Sequence, residues 1–306
     1  MVRLFRFGEL GHERPGLVGA DGVHRDVGAF GEDYGEEFFG SDGLSRLLSW
    51  LEETRSELAP AIEPAQVRWA PVVRRPSKIV CVGLNYRAHA EETGARLPRE
   101  PKIFMKATTA LAGVNDPLEL PRDSSSTDYE VELALVIGTQ LRYADAASAR
   151  AAIFGYTVMN DYSEREFQKE REGQWVKGKS ADGFAPLGPY LVPAAQLDPG
   201  NLRLWLSVDG EVRQDSSTSD LVFDVVEVVR SISQYMTLLP GDVISTGTPS
   251  GVGAGFSPPR YLRPGDIVRY GIDGIGEAVQ AVVAPGADTS DPTWLASLRA
   301  SRKMPA

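Results

Sequence analysis

Between Val131 and Ile137 the chain is apolar at every position except Glu132, and the run ends at Gly138. A Val/Leu/Ala/Ile segment of this length predicts a buried strand. Strand side chains alternate between faces, so Glu130 and Glu132 project to one side, in line with Ala134 and Val136. The run Ile79-Val80-Cys81-Val82 predicts a second apolar strand. Arg3 to Val27 reads as short strands broken at Gly11, Gly16 and Asp21-Gly22. A helix should follow, capped by Ser41, with Leu44, Leu47, Leu48 and Leu51 on one face. Three prolines mark 57–71 as a connection.

From Val72 onward the pattern is rich in strands. Asp209-Gly210 sits between two alternating runs and predicts a hairpin turn. Asp220 is placed to cap a helix carrying Val222, Val225, Val226, Val229, Ile232 and Met236. Two Pro-Gly-Asp turns, at 240–242 and 264–266, each lead into a β-rich run. No repeat of solenoid period is present. Short strands with few helices predict a β-rich α+β fold instead of a doubly wound sheet. The expected organisation is a small N-terminal α+β domain (1–71), a catalytic domain (72–284) and a C-terminal tail (285–306).

Composition narrows the function. The 306 residues include one cysteine, so no intrachain disulfide forms, and Cys81 reads as a buried, inert thiol. No segment approaches transmembrane length, so a soluble, cytoplasmic protein with no membrane partner is expected. A formal charge of −10 disfavours nucleic acid as a partner. Of seven lysines, six fall between Lys78 and Lys179. Lysine's compact ammonium suits a small anion or an enolate, which hints at an anionic substrate.

Several polar residues stand out against this background. Two parallel carboxylates at an apolar rim repel each other unless a cation lies between them. Oxygen ligands with nothing softer nearby suggest Mg²⁺, Mn²⁺ or Ca²⁺; the competing reading is an edge strand with a solvated acidic face. If the segment after Gly83 is helical, His89 and Glu92 meet at i, i+3 and form a base that can activate water, as against an ordinary polar helix turn. Asp161 ends an apolar strand, where it serves either as a third metal ligand or as a helix cap. Lys179 falls in a Gly-bounded loop, where it is either functional or simply exposed. The Gly-rich run 247–255 lacks the lysine of a phosphate-binding loop, and Pro258-Pro259 forbid the helix that a dinucleotide site needs. It reads as a tight loop whose amides and Thr248 hydroxyl hold a carboxylate.

In their fixed order these segments resemble the fumarylacetoacetate hydrolase family, over roughly Ser77 to Val283. The motifs are Val82-Gly83-Leu84-Asn85-Tyr86 with His89, Glu130-x-Glu132, Asn160-Asp161 with Arg165 and Gln168, Gly178-Lys179-Ser180, and Pro240-Gly241-Asp242 followed by Thr246 to Gly253. The resemblance implies a mixed β-roll catalytic domain, a homodimer, and Glu130, Glu132 and Asp161 as Mg²⁺ or Mn²⁺ ligands. It implies His89 with Glu92 as the water-activating pair on a segment that orders around substrate. Lys179 would stabilise charge as a catalytic residue, and Gln168, Arg165, Thr248, Tyr86 and Lys106 would bind substrate.

The implied reaction is hydrolysis of a 2,4-dioxo acid. Activated water attacks C4, the C3–C4 bond breaks, and pyruvate leaves as its enolate. Two positions depart from relatives: Gly183 stands where many have threonine, and Leu84 where some acylpyruvate-cleaving members have arginine. Residues 173–179 and the N-terminal domain look most like members acting on 2,4-diketo-3-deoxy sugar acids, a group often labelled ureidoglycolate lyases. The alternatives are an oxaloacetate-type decarboxylase, an isomerase of a hydroxy-diene dioate, or a non-catalytic protein binding metal and oxo acid.

Overall fold

The computed structural model describes residues 1–53 and 58–288. The first residue of the expected 57–71 connection and the tail from 289 onward lie outside them. One large sheet organises the chain. It takes its N-terminal strands from β1 (Arg3–Phe7), β2 (Arg14–Val18), β3 (His24–Asp26) and β4 (Trp69–Ala70). Its other strands are β5 (Ile79–Gly83), β6 (Lys102–Lys106), β7 (Leu111–Ala112), β10 (Val131–Ile137), β11 (Ile153–Asn160), β13 (Ala185–Pro193) and β16 (Val243–Ser245). The order is β3-β2-β1-β13-β11-β10-β16-β5-β6, with β4 on β1 and β7 on β13.

Strand β10 is therefore interior, antiparallel to β11 on one side and to β16 on the other. All seven of its residues are buried. Glu130 and Glu132 are only 5% and 2% exposed, which excludes the solvated edge strand. The N-terminal strands are continuous with this sheet, since β1 pairs with β13 at Leu4 and Leu191. Phe5 seals that junction, its ring 5.3 Å from Trp69 and 6.3 Å from Tyr190.

A second sheet runs β15-β14-β17-β18-β8, from β8 (Leu118–Glu119), β14 (Arg203–Val208), β15 (Glu211–Ser217), β17 (Ile267–Ile272) and β18 (Gly276–Val283). Asp209-Gly210 is the expected hairpin turn between β14 and β15. The two sheets share a polar clasp: Tyr162 and Tyr270 both donate to Gln280 Oε1 at 3.0 Å, and Gln280 Nε2 donates to the Asp116 carbonyl. Two short strands, β9 (Thr127–Asp128) and β12 (Ser163–Glu164), pair beside the head of β10.

The helices correct two sequence expectations. Ser41 does not cap the Leu-rich helix; it closes α1 (Glu36–Gly40), its hydroxyl donating to the Glu37 carbonyl. Asp42 precedes α2 (Gly43–Glu53) and takes the first hydrogen bonds, from Ser45 Oγ and Arg46 N. Asp220 likewise ends a short 3₁₀ turn, and Asp224 caps α7 (Val225–Ser233) by accepting from Glu227 N. A side-chain cap works only from the residue at the helix boundary, and the apolar spacing at Val222 continued the period beyond the true start. The remaining helices are α3 (Arg87–Glu92), α4 (Ala146–Ala151), α5 (Arg165–Lys169) and α6 (Val176–Lys179).

Candidate active site

A cavity of about 190 Å³ opens where the N-terminal end of β10 meets α3, α5, α6 and the loop after β16. Glu130 and Glu132 enter it from β10, and Asp161 follows β11, its N–H bonded to the Glu130 carbonyl. One carboxylate oxygen from each of these three buried residues lies within 4.8 Å of the others. Asp161 does not cap α5; Glu164 does, accepting from Glu166 N.

Lys179 lies between two of these acids, with Nζ 2.6 Å from Glu130 Oε2 and 2.6 Å from Asp161 Oδ2. It ends a helix and is 1% exposed, so the loop expected here is a buried turn of α6. Gly178 permits that approach: a Cβ there would sit 2.4 Å from the Glu164 carbonyl and 2.6 Å from Gln168 N. Burial alone would depress the Lys179 ammonium, but Asp161 and Glu130 outweigh it and hold the pKa above the ordinary value. Lys106 also pairs with Asp161 and donates to the Tyr162 carbonyl at 3.0 Å. It has one acid where Lys179 has two, and burial, aided by nearby Lys179, pulls its pKa down.

The two glutamates are unlike. Burial works against the Glu130 carboxylate, yet Arg165 and Lys179 overcome it and keep the group well below the usual range. Arg165 reaches Glu130 Oε1 at 2.7 Å, Asp128 Oδ2 at 2.8 Å and Gln168 Oε1 at 3.1 Å. Glu132 has no cation of its own. Its Oε2 accepts from Ser245 Oγ at 2.5 Å and Gly247 N at 2.9 Å. Burial, then Asp161 and Glu130, push its pKa well up. Among the described residues, Glu130, Glu132 and Asp161 thus converge, and Glu132 alone of the three makes no ion pair. This hard, all-oxygen set fits an oxygen-preferring divalent ion, which Glu130, Glu132 and Asp161 would hold.

His89 and Glu92 face each other across a turn of α3, Nδ1 to Oε2 at 3.1 Å. Gly251 N donates to the other Glu92 oxygen at 2.8 Å. Asn85 fixes the entry to α3 with bonds to the Thr246 and Phe223 carbonyls and to Phe223 N. The Gly-rich loop differs from its sequence reading. Its amides at Gly247, Gly251, Gly253 and Ala254 serve the protein's own Glu132, Glu92 and Asp128. Thr248 lines the cavity, but its hydroxyl donates to the Val131 carbonyl and accepts from Gln214.

This loop gives a sharp test. Gly251 has φ +101°, and a Cβ would lie 1.9 Å from the Arg213 carbonyl. Gly265 has nearly the same φ, +100°, with nothing within 4 Å. Gly251→Ala should therefore cost more than Gly265→Ala, which bears backbone strain alone, of order 1–3 kcal/mol. Urea midpoints of the two variants check the ranking, and equal midpoints would refute it.

His89, Glu130, Glu132, Arg165, Gln168, Lys179 and Thr248 line the cavity together. Tyr86 and Lys106, which the resemblance places on the substrate, do not. Tyr86 is 1% exposed and packed in the core, and Lys106 lies behind Asp161. Sequence reasoning passed over Asp128, the second anchor of Arg165, although it stands two residues before Glu130 in Asp128-x-Glu130-x-Glu132. It also passed over Ser245, whose hydrogen bond to Glu132 joins residues distant in sequence.

Comparison with known proteins agrees with this geometry. The fumarylacetoacetate (FAA) hydrolase C-terminal family matches residues 78–283. A protein of Burkholderia multivorans, provisionally named a hydrolase, is 44% identical over 284 residues, 91% of this chain and 98% of its own. The fumarylacetoacetate hydrolase of Exiguobacterium antarcticum superposes with a TM-score of 0.80 at 36% identity, covering 93% of this chain and all of that one. A 2-hydroxyhepta-2,4-diene-1,7-dioate isomerase of Mycobacterium marinum gives 0.73 at 34%, covering 94% and 100%. Maleylpyruvate hydrolase of Sphingobium sp. SYK-6, solved with manganese(II) and pyruvate, gives 0.75 at 31%, covering 92% and 99%. The motif order, the site and these matches together make this chain a member of the fumarylacetoacetate hydrolase family.

Proposed function

We propose that the chain hydrolyses a C–C bond of a 2,4-dioxo acid, releasing pyruvate and a carboxylic acid, with Mg²⁺ or Mn²⁺ as cofactor. The observation that carries this reading is one cavity lined by Glu130, Glu132, Lys179 and His89, with Asp161 within ligand distance of the two glutamates and Glu92 holding the His89 ring. A divalent ion held by Glu130, Glu132 and Asp161 would act as a Lewis acid on the substrate's oxygens.

The chain's own residues supply the proton chemistry. Glu92 accepts from Gly251 N and from the imidazole, so Nδ1 carries the ring proton and Nε2 is the basic nitrogen. His89 Nε2 takes a proton from water, whose oxygen attacks C4. The tetrahedral adduct collapses, the C3–C4 bond breaks, and a carboxylic acid forms. The electron pair goes to the pyruvate fragment as an enolate, which is then protonated at C3. Lys179, fixed and charged, offsets the negative charge that develops late in the reaction. Gln168 accepts from Arg165 through Oε1, which leaves its amide N–H groups for the substrate head.

The test is pyruvate release from a panel of 2,4-dioxo acids, including 2,4-diketo-3-deoxy sugar acids, with oxaloacetate alongside, in Mg²⁺ and in EDTA. Pyruvate together with the matching carboxylic acid, abolished by EDTA, supports the reading. Pyruvate from oxaloacetate alone would replace it with decarboxylation. Similarity to the Mycobacterium marinum isomerase favours one further reading, isomerisation of a hydroxy-diene dioate. That reaction needs the triad and Lys179 but no attacking water.

A further inference from the structure

Asp128 does not line the cavity, yet both halves of the site lean on it. It ends the short strand β9, where it pairs with Ser163 of β12, and it is fully buried. Four N–H donors converge on its carboxylate. Oδ1 accepts from Tyr129 N at 2.9 Å and from Gly253 N at 2.6 Å. Oδ2 accepts from Ala254 N at 3.0 Å and from Arg165 Nε at 2.8 Å. An ionised carboxylate takes four donors and offers none in return, so it suits this place where an amide does not.

The donors belong to two separate parts of the site. On one side stands Arg165, whose three nitrogens are all committed: Nε to Asp128, Nη1 to Gln168 and Nη2 to Glu130. Asp128 thereby sets the plane of the guanidinium that pairs with Glu130 and orients Gln168. On the other side is the turn Gly253–Gly255, with Val252 and Ala254 on the cavity wall. Glu92 is wedged against this loop at two points. Gly251 N donates to its Oε1, and a Cβ at Gly255 would sit 2.4 Å from its Cδ. Asp128 holds Gly253 and Ala254, the residues between those two points. The packing there is close: a Cβ at Gly253 would lie 2.7 Å from Asp128 Oδ1 and 2.4 Å from the Arg260 carbonyl. Glu92, and with it the His89 ring, therefore follows the loop that Asp128 anchors.

We propose that Asp128 is a positioning residue that couples the water-activating pair to the substrate head, one carboxylate fixing both Arg165 and the loop that holds Glu92. This deepens the hydrolase reading and rests on it for the roles of His89 and Glu92. Asp128→Asn keeps the size of the side chain but turns an N–H₂ group toward N–H donors at a buried site. The pairing of β9 with β12 is made by the backbone and does not need the carboxylate. In saturating Mg²⁺, kcat on the best 2,4-dioxo acid should fall about ten- to hundredfold, the scale for a hydrogen bond to a charged group.

The decisive readout is the cost of Glu92→Gln, measured with Asp128 present and in Asp128→Asn. In the second background that cost should shrink to within about twofold, since Glu92 is no longer held where its charge counts. A role in stability alone would lower the urea midpoint and leave the Glu92→Gln cost as it was. Gly253→Ala presses on the same link from the loop side without removing a charge. It should shrink the cost in the same way, and it serves as the test if Asp128→Asn does not fold. Crystal structures of the two variants judge the coupling without reference to the reaction. Glu92 should leave Gly251 N in both, and Arg165 should shift only in Asp128→Asn. If no dioxo acid is cleaved, the hydrolase reading fails, and a displaced Glu92 still supports the coupling. An undiminished Glu92→Gln cost, or a Glu92 and an Arg165 that keep their places in Asp128→Asn, would overturn the proposal.

Discussion

His89→Ala is expected to lower pyruvate release from a 2,4-dioxo acid by roughly 10²–10⁴, the usual contribution of a positioned general base. The reasoning starts from α3, a helix of six residues whose His89 and Glu92 meet at i, i+3. Glu92 is itself held by Gly251 N, so the imidazole is oriented by a carboxylate that has no freedom to turn away. Glu92→Gln should also slow hydrolysis, but by less, because the amide oxygen can still accept from Nδ1–H while the charge that stabilises the imidazolium is gone. The double variant should be little worse than His89→Ala alone, since the two residues act as one unit. The control is oxaloacetate. Decarboxylation needs no activated water, so a Glu92→Gln enzyme slowed in hydrolysis but unchanged in decarboxylation would place the pair on water and not on the enolate. A His89→Ala enzyme within a few-fold of wild type on its best dioxo acid would sink the assigned role.

Legibility in the sequence followed the range of the interactions. Strand β10 could be read because its apolar run is local, and the shared face of Glu130 and Glu132 follows from strand alternation alone. The Asp209-Gly210 hairpin was readable for the same reason. The caps were misplaced by one residue at Ser41 and by four at Asp220, since nothing in the apolar period marks where helical dihedrals begin. The placement of Lys106 and Lys179 was harder still. Both pair with Asp161, but one arrives from β6 and the other from α6, 55 and 18 residues away in sequence. Only the sheet order, with β5 parallel to β16 and β6 outside it, puts Lys106 behind the acid and Lys179 at the cavity. The Gly-rich loop was legible in part: its amides do hold carboxylates, as read, but the chain's own ones. Its amides were free in the sequence, but the fold brings Glu92, Asp128 and Glu132 to them.

Lys179→Met should be the most damaging change to stability at the site. Its ammonium is shared by Glu130 and Asp161, both buried, and a linear apolar side chain of similar length fills the space without replacing the charge. Removing one partner from a buried ion pair typically costs about 3–5 kcal/mol, and here each carboxylate is left with one cation in place of two. Urea unfolding in EDTA should show that loss. Lys106→Met should cost less, since it removes one contact to Asp161, whereas Lys179→Met removes a contact to each of two acids and leaves Glu130 with Arg165 alone and Asp161 with Lys106 alone. Adding Mg²⁺ or Mn²⁺ sets the sign of the next effect. With one positive charge removed from beside the triad, a divalent ion should bind more tightly and raise the unfolding midpoint by more than in wild type. Activity should nevertheless fall by roughly 10²–10³, the scale for losing one fixed group that stabilises developing charge. Stability and activity are thereby separated: the ion restores the first and not the second. Lys179→Met stability within about 1 kcal/mol of wild type in EDTA, below the 3–5 kcal/mol scale of a broken buried pair, would show that the triad does not depend on this ammonium. In that case the charge balance assigned to Glu130 and Asp161 would have to be redrawn.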